Sequence, residues 1–485
     1  MATLSYDLIV LGDDLAGLIA ATLCASRGMR VLLAEPHKNL STYRLGKETV
    51  PTTTQVLTGL QRPGAERVIA ELNFDHLMRR RLQSRKQPFQ ILGHRLRLDV
   101  HPDRQRLTRA LAREGGVTSD WLVDSETAQA ALDGLLLEGV CMPGTGFWER
   151  REVSKRLPAA HQAAQAWSES EHSEAEEFLA RACSLASGNL CEADALAASR
   201  SVANILQGVP VLTGEAQAWR TLFLDKLQSH SGEHRVLVPE QIESSWGKVT
   251  GLTTVDDEIR CDHLIAAMPV HELVPLLSPK AAKKLANIGP LPEVAAYRYT
   301  LNLIVHTSGL PEGLSDLAAS MLDADESPLG GNFALLSTRP ATSPGRAVLC
   351  IEGLAPAAAD RSPELSGMRD ALLEHAQARM PFLDEHTELV DSPNEAAKDG
   401  VKRELHEPIA PSPIWASPVD EHLGMEALTY ASGLKQLWLA SRQTLPALGL
   451  EGQFIAAFGA AKLVSAGSSK GKASSKTSVL SAPRT

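Results

Sequence analysis

Tyr6-Asp7-Leu8-Ile9-Val10-Leu11-Gly12-Asp13-Asp14-Leu15-Ala16-Gly17, followed by an apolar stretch and Val31-Leu32-Leu33-Ala34-Glu35, decides the fold of this chain. An apolar strand runs into a glycine turn, a helix of roughly Leu15 to Arg27 stops at Gly28, and a second strand ends on an acid. In a frame of this kind the first glycine makes the tight turn and the second lets backbone approach a pyrophosphate. The third packs helix on strand, and an acid about 20 residues on binds a ribose hydroxyl. Gly12, Gly17 and Glu35 fit three of these places, and Asp14 stands in the fourth.

A carboxylate at position 14 sits where a helix N-terminus would otherwise attract phosphate. At an effective dielectric of 20, like charges about 4 Å apart repel by about 4 kcal/mol, near a thousandfold in affinity. Asp is also a favoured N-cap, so Asp13 and Asp14 have a second use in satisfying the first amides of the helix. Two readings stay open at this point: capping without a nucleotide, or an Asp14 turned outward from a working site.

At 485 residues the chain is long enough for two or three domains. Its 44% hydrophobic and 22% charged residues predict a soluble globular protein, and no apolar run is read as approaching the roughly 20 residues of a membrane span. No basic region precedes an apolar core at the start, so no export leader is expected. Six scattered cysteines without a CxxC pair indicate neither zinc nor a disulfide framework, and a reducing cytoplasm is the simplest setting. The net charge of -10 argues against nucleic acid as a partner, the run Arg79-Arg80-Arg81 to Arg85-Lys86 being read as a solvated helix face.

Further along, Phe89 to Leu98 alternates around Gly93 and predicts a hairpin, followed by a helix from about Asp103 to Glu114. Residues 118 to 207 have helical spacing, with breaks expected at Pro143-Gly144 and Pro158. Strand-like runs return between 208 and 276, at Arg235 to Val238, Val249 to Leu252 and His263 to Ala267. Val294 to Val305 and Arg346 to Ile351 predict strands of a second sheet, before a helix at Ser362 to Met380. Leu437 to Ala440 then leads through a glycine turn to a helix from about Glu451 to Val464, and residues 466 to 485 read as a disordered, mildly basic tail.

Taken in order, these segments resemble the FAD-dependent oxidoreductases of the phytoene desaturase and amine oxidase superfamily. The stretch Leu437-Trp438-Leu439-Ala440-Ser441-Arg442, continuing through Pro446 and Gly449 to Glu451-Gly452, looks like that family's last motif. The resemblance implies an α/β protein with a doubly wound, Rossmann-like FAD/NAD(P)-binding domain from residues 1–75, 208–285 and 425–465. A second, α+β substrate-type domain would come from 76–207 and 286–424. It also implies FAD as cofactor, with Gly12, Asp14, Gly17, Glu35, Val238, Arg442, Gly449 and Gly452 at the cofactor positions.

The departures from the family pattern fall on those same positions. The family's last motif carries Gly-Asp where this chain has Ser441-Arg442, and the Gly-Gly pair after the ribose acid is replaced by Glu35-Pro36-His37-Lys38. The adenine-reading position aligns with Val238 or with Pro239, which lacks an amide donor. The resemblance therefore implies an FAD-dependent oxidoreductase acting on an apolar or amine-bearing small molecule. The departures imply an alternative, a cofactor-free pseudoenzyme of the same fold that serves as a binding or assembly subunit for a protein partner.

In that alternative Asp14 and Arg442 pair in the pyrophosphate space; in the rival reading Arg442 contacts phosphate directly. Catalytic residues are not legible. His271 and His306 are candidates only as titratable groups near domain edges, and Trp246 and Trp438 are read as core. Lys470, Lys472 and Lys476 suit either an inert solvated end or weak attachment to a partner or an anionic surface.

Overall fold

The computed structural model describes residues 4–467, apart from 38–39, 86, 95, 115–118, 170–171, 191–194, 213–217, 290, 399 and 417–427. The expected tail at 468–485 lies outside the described residues, whereas residues 466 and 467 belong to the final helix. The first sheet is built around the strand Leu4–Leu11, which pairs in parallel with Glu258–Ala266 on one side and Val31–Glu35 on the other. Glu233–Val236 extends it in parallel beyond Val31–Glu35, and Leu437–Leu439 lies beside Glu258–Ala266. An antiparallel pair, Pro239–Ser245 and Lys248–Thr254, closes the far edge. Leu8–Leu11 and Val31–Ala34 are apolar and fully buried, as the centre of a parallel sheet covered on both faces requires.

One face is covered by the fully apolar helix Leu15–Ser26, which packs against the closing helix Gly449–Gly467 and against Ala218–Ser229. Trp219, Phe223 and Phe454 meet there with ring centroids 5.6 to 6.2 Å apart, Phe223 edge to face with both others. The helix Ala218–Ser229 precedes the strand-like runs expected between 208 and 276 and is not among the elements that the sequence announces. The segment Pro446–Gly467 is also long and apolar enough to cross a membrane by composition, contrary to the expectation that no run approaches that length. Most of it is buried against the first sheet and its helices, so its apolarity is that of a core helix.

The second sheet runs in the order 387–391, 293–306, 346–355, 333–340, 317–321, 89–92, 97–100, with Ser412–Ala416 also on the first of the long strands. The hairpin Phe89–Leu92 with Arg97–Val100 joins it through parallel pairing to Leu317–Met321. Between the hairpin and the first sheet's later strands lies a block of helices. Its longest, Phe147–Glu169, runs through Pro158, which was expected to break it. Pro158 is exposed while Val153, Leu157, Ala160 and Ala164 bury the opposite face, so packing offsets the lost backbone bond.

Two further readings are corrected by burial. Arg85 is not on a solvated face; its side chain is mostly buried and pairs with Asp316 at 3.1 Å. Trp246, expected in the core, is fully exposed at the turn between Pro239–Ser245 and Lys248–Thr254, while Trp438 is partly buried.

His375, on the helix Met368–Arg379, is buried with Nδ1 2.7 Å from the Gly331 carbonyl and Nε2 2.7 Å from Ser320 Oγ. Burial pushes its pKa down to about 4, so the folded state holds it neutral. Between its unfolded value of 6.5 and about 4, the unfolded chain binds a proton that the folded chain refuses, so stability falls as pH falls through that window. The loss amounts to roughly 3 kcal/mol by pH 4. Urea unfolding across this range should show that slope in the wild type and a flatter one in His375→Gln; equal slopes would remove His375 as its source.

Candidate functional site

The glycines of the fingerprint serve the fold directly. Gly12 has φ +124°, and a Cβ there would lie 2.1 Å from the Ala267 carbonyl oxygen; one on Gly17 would lie 2.2 Å from Ala267 Cβ. Both places therefore demand glycine whether or not a ligand is present. Asp14 has the backbone of an N-cap, with its carbonyl accepting from the Gly17 and Leu18 amides. Its carboxylate makes no bond to the helix amides, which corrects the expectation of side-chain capping.

That carboxylate turns instead to Arg442. Oδ1 accepts from Arg442 Nε at 2.6 Å and Oδ2 from the Arg442 amide at 3.0 Å, while Arg442 Nη1 donates to Ser412 Oγ. Asp14 is 3% exposed and the Arg442 side chain 37%. Burial raises the Asp14 carboxyl above its ordinary value, against the opposing charge of Arg442, and Asp14 in turn raises the guanidinium.

The neighbouring acids are also engaged. Asp13 Oδ2 lies 3.3 Å from His37 Nε2. Burial would raise Asp13, but the His37 bond and the nearby Arg442, His37 and Arg220 charges together bring it below its ordinary value. Glu35, 2% exposed at the end of its strand, has Arg220 against one oxygen and His234 Nε2 3.1 Å from the other. Arg220 also donates to the Asp13 carbonyl at 3.2 Å. The carboxylate expected to bind ribose is thus faced by two side chains that no local motif announced, one on the helix Ala218–Ser229 and one on the strand Glu233–Val236.

Of the remaining positions, Val238 is exposed in the link between two strands, and Pro239 begins the second of them. Gly449, at φ +53°, and Gly452 pack closely, since added Cβ atoms would meet the Ser187 carbonyl oxygen at 2.5 Å and the Leu445 carbonyl oxygen at 2.3 Å. His271 and His306 are both exposed and do not line the cleft between the sheets. Among the described residues no His, Cys, Asp and Glu group is arranged to hold a metal, and the five described cysteines are buried and free.

The cleft between the two sheets encloses about 310 Å³ and is lined by Thr53, Gln55, Trp219, Arg298, Trp415 and Arg442, among others. Behind Arg298 lies Glu352, 1% exposed, which pairs with it and accepts from the Thr54 amide at 2.8 Å and the Thr53 hydroxyl at 2.5 Å. The residues present do not fit the dinucleotide half of FAD. Asp14 and Arg442 occupy the approach to the turn, where the pyrophosphate would come.

No family model and no curated protein matches this sequence. Solved structures do. A putrescine oxidase variant with redesigned cofactor binding aligns at 12% identity and a TM-score of 0.58, covering 96% of this chain and 100% of its own. Cyclohexylamine oxidase from Brevibacterium oxydans IH-35A aligns at 15% and 0.56, covering 95% and 98%. An oxidoreductase from Methanosarcina mazei aligns at 11% and 0.55, covering 92% and 98%. The likeness spans both sheets and identifies the architecture: an α/β protein with a Rossmann-type dinucleotide domain, of the fold found in these amine oxidases.

Proposed function

We propose that this chain keeps the architecture of the flavin oxidoreductases with its dinucleotide site filled by its own side chains, and that it works as a cofactor-free binding or assembly subunit. The observation that carries this reading is the Asp14 carboxylate, buried and held by Arg442 at 2.6 Å and 3.0 Å. A pyrophosphate brought to this turn meets a like charge, and removing Arg442 from it leaves that charge buried without its partner.

The opening that remains is the cleft of about 310 Å³, at the lower end of the volumes that take small ligands. It presents guanidinium groups of Arg298 and Arg442 in front of buried carboxylates, with Trp219, Trp415 and Leu450 as apolar walls. This lining favours an apolar molecule with an acidic or neutral polar end, and a protonated amine would face two cations.

A second reading, an FAD-dependent oxidoreductase acting on an apolar or amine-bearing small molecule, is favoured by the full-length likeness to putrescine and cyclohexylamine oxidases and by Gly12, Gly17 and Glu35 standing at their expected places. It requires Arg442 to leave Asp14 and Arg220 to release Glu35. Equilibrium dialysis of the purified chain against ADP and against FAD separates the two readings. Dissociation constants weaker than about 1 mM for both fit the closed site, and micromolar binding of either fits the enzyme.

A further inference from the structure

Trp246 and Gly247 form the two-residue turn between Pro239–Ser245 and Lys248–Thr254, with φ of +52° and +76°. Such turns take Asn, Asp or Gly without strain, and a bulky residue there is an outlier. Trp246 is nevertheless fully exposed, so no packing within the molecule offsets its strained backbone. Its surroundings are basic. Lys248 follows it, and the Lys435 amide donates to the Gly247 carbonyl at 2.9 Å. Lys284 Nζ lies 3.3 Å from where a Gly247 Cβ would stand, and Lys283 precedes it on the helix Pro279–Ala286. All four lysines are exposed. The acids Glu243, Glu258 and Asp262 line the shallow hollow that Lys248 borders, with Arg260 among them.

The closing helix ends at the same corner. A Cβ on Gly467 would lie 2.7 Å from the His263 ring, on which the charges of Asp262, Lys248 and Asp7 all act. The sequence that follows, residues 468–485, carries Lys470, Lys472, Lys476 and Arg484 and no acid. A chain of net charge -10 thus gathers cations around one exposed tryptophan.

We propose that this corner docks on an anionic lipid bilayer, with Trp246 entering the headgroup layer and Lys248, Lys283, Lys284 and Lys435 facing lipid phosphates. Tryptophan favours the membrane–water boundary, and clustered lysines are drawn to anionic leaflets. The rest of the chain, being acidic, is repelled from such a surface, which fixes the orientation. A protein partner is disfavoured by shape: a convex turn tip offers little of the roughly 1,000 Å² that a stable interface needs.

The test is co-sedimentation of the full chain with phosphatidylserine-rich and with pure phosphatidylcholine vesicles, followed by tryptophan emission. Binding to the first alone, released by high salt and accompanied by a blue shift, is expected. Trp246→Asn, which suits the turn and so spares the fold, should lower partitioning about tenfold and remove most of the shift. Each of Lys248→Ser, Lys284→Ser and Lys435→Ser should lower it roughly fivefold. Absence of binding, equal binding to neutral vesicles, preference for an RNA homopolymer, or a Trp246→Asn chain that binds and shifts like the wild type would each overturn the proposal. None of these readouts depends on flavin or on the cleft.

Discussion

Asp14→Gly is expected to raise the affinity for FAD by about a thousandfold. The repulsion of about 4 kcal/mol between a carboxylate and a phosphate about 4 Å away disappears, and backbone can approach the pyrophosphate as the turn otherwise allows. Arg442, released from its partner, is then available to phosphate, a geometry that suits a guanidinium. The fold should tolerate the change, because the Asp14 carboxylate makes no bond to the helix amides and glycine is an acceptable N-cap. Flavin fluorescence quenching on titration measures the effect. Asp14→Gly combined with Arg442→Asp asks a further question, since it restores an Asp where the family motif has one. Unchanged affinity in both variants would mean that the site is closed by more than this pair, with the Arg220–Glu35 contact the next to examine.

Glu451→Ala is expected to destabilise the chain by about 3 to 5 kcal/mol. Arg200 and Glu451 are 1% exposed each and bonded twice, at 2.7 and 3.0 Å. Arg200 also reaches Asp133 at 2.7 Å, and Arg62 joins the same cluster through Asp133 and Asn204. Burial opposes the Arg200 charge, but Glu451 and Asp133 hold it firmly protonated. Removing Glu451 leaves a buried guanidinium with half of its compensation, at the point where the closing helix meets the helical block. Urea unfolding measures the loss. A change below about 1 kcal/mol, the scale of an exposed pair, would show that water reaches Arg200.

Much of the first sheet was legible because its signals are local. The turn at Gly12, the helix ending before Gly28 and the acid at Glu35 follow from spacing alone, and the long strand at 293–306 and the hairpin at 89–100 from alternation. What failed were judgements that depend on partners far along the chain. Pro158 was read as a break because its loss of a bond is local, whereas the burial that offsets it is tertiary. Trp246 was read as core because its composition says nothing of a turn tip.

The site divides in the same way. The charge change at Asp14 and the one at Arg442, 428 positions apart, could be connected because two recognisable motifs were altered in complementary senses. Arg220 and His234 belong to no motif, so the fate of Glu35 was not readable. Arg200 and Arg298 likewise became visible only when the fold brought Glu451 and Glu352 against them.

The most direct measurement is the visible absorption spectrum of the purified full chain, taken as isolated and again after incubation with excess FAD and gel filtration. A protein that is colourless both times is the result predicted by a dinucleotide site filled with Asp14 and Arg442. Flavin bands that survive gel filtration in stoichiometric amount would contradict it and make the oxidoreductase reading the account of this chain.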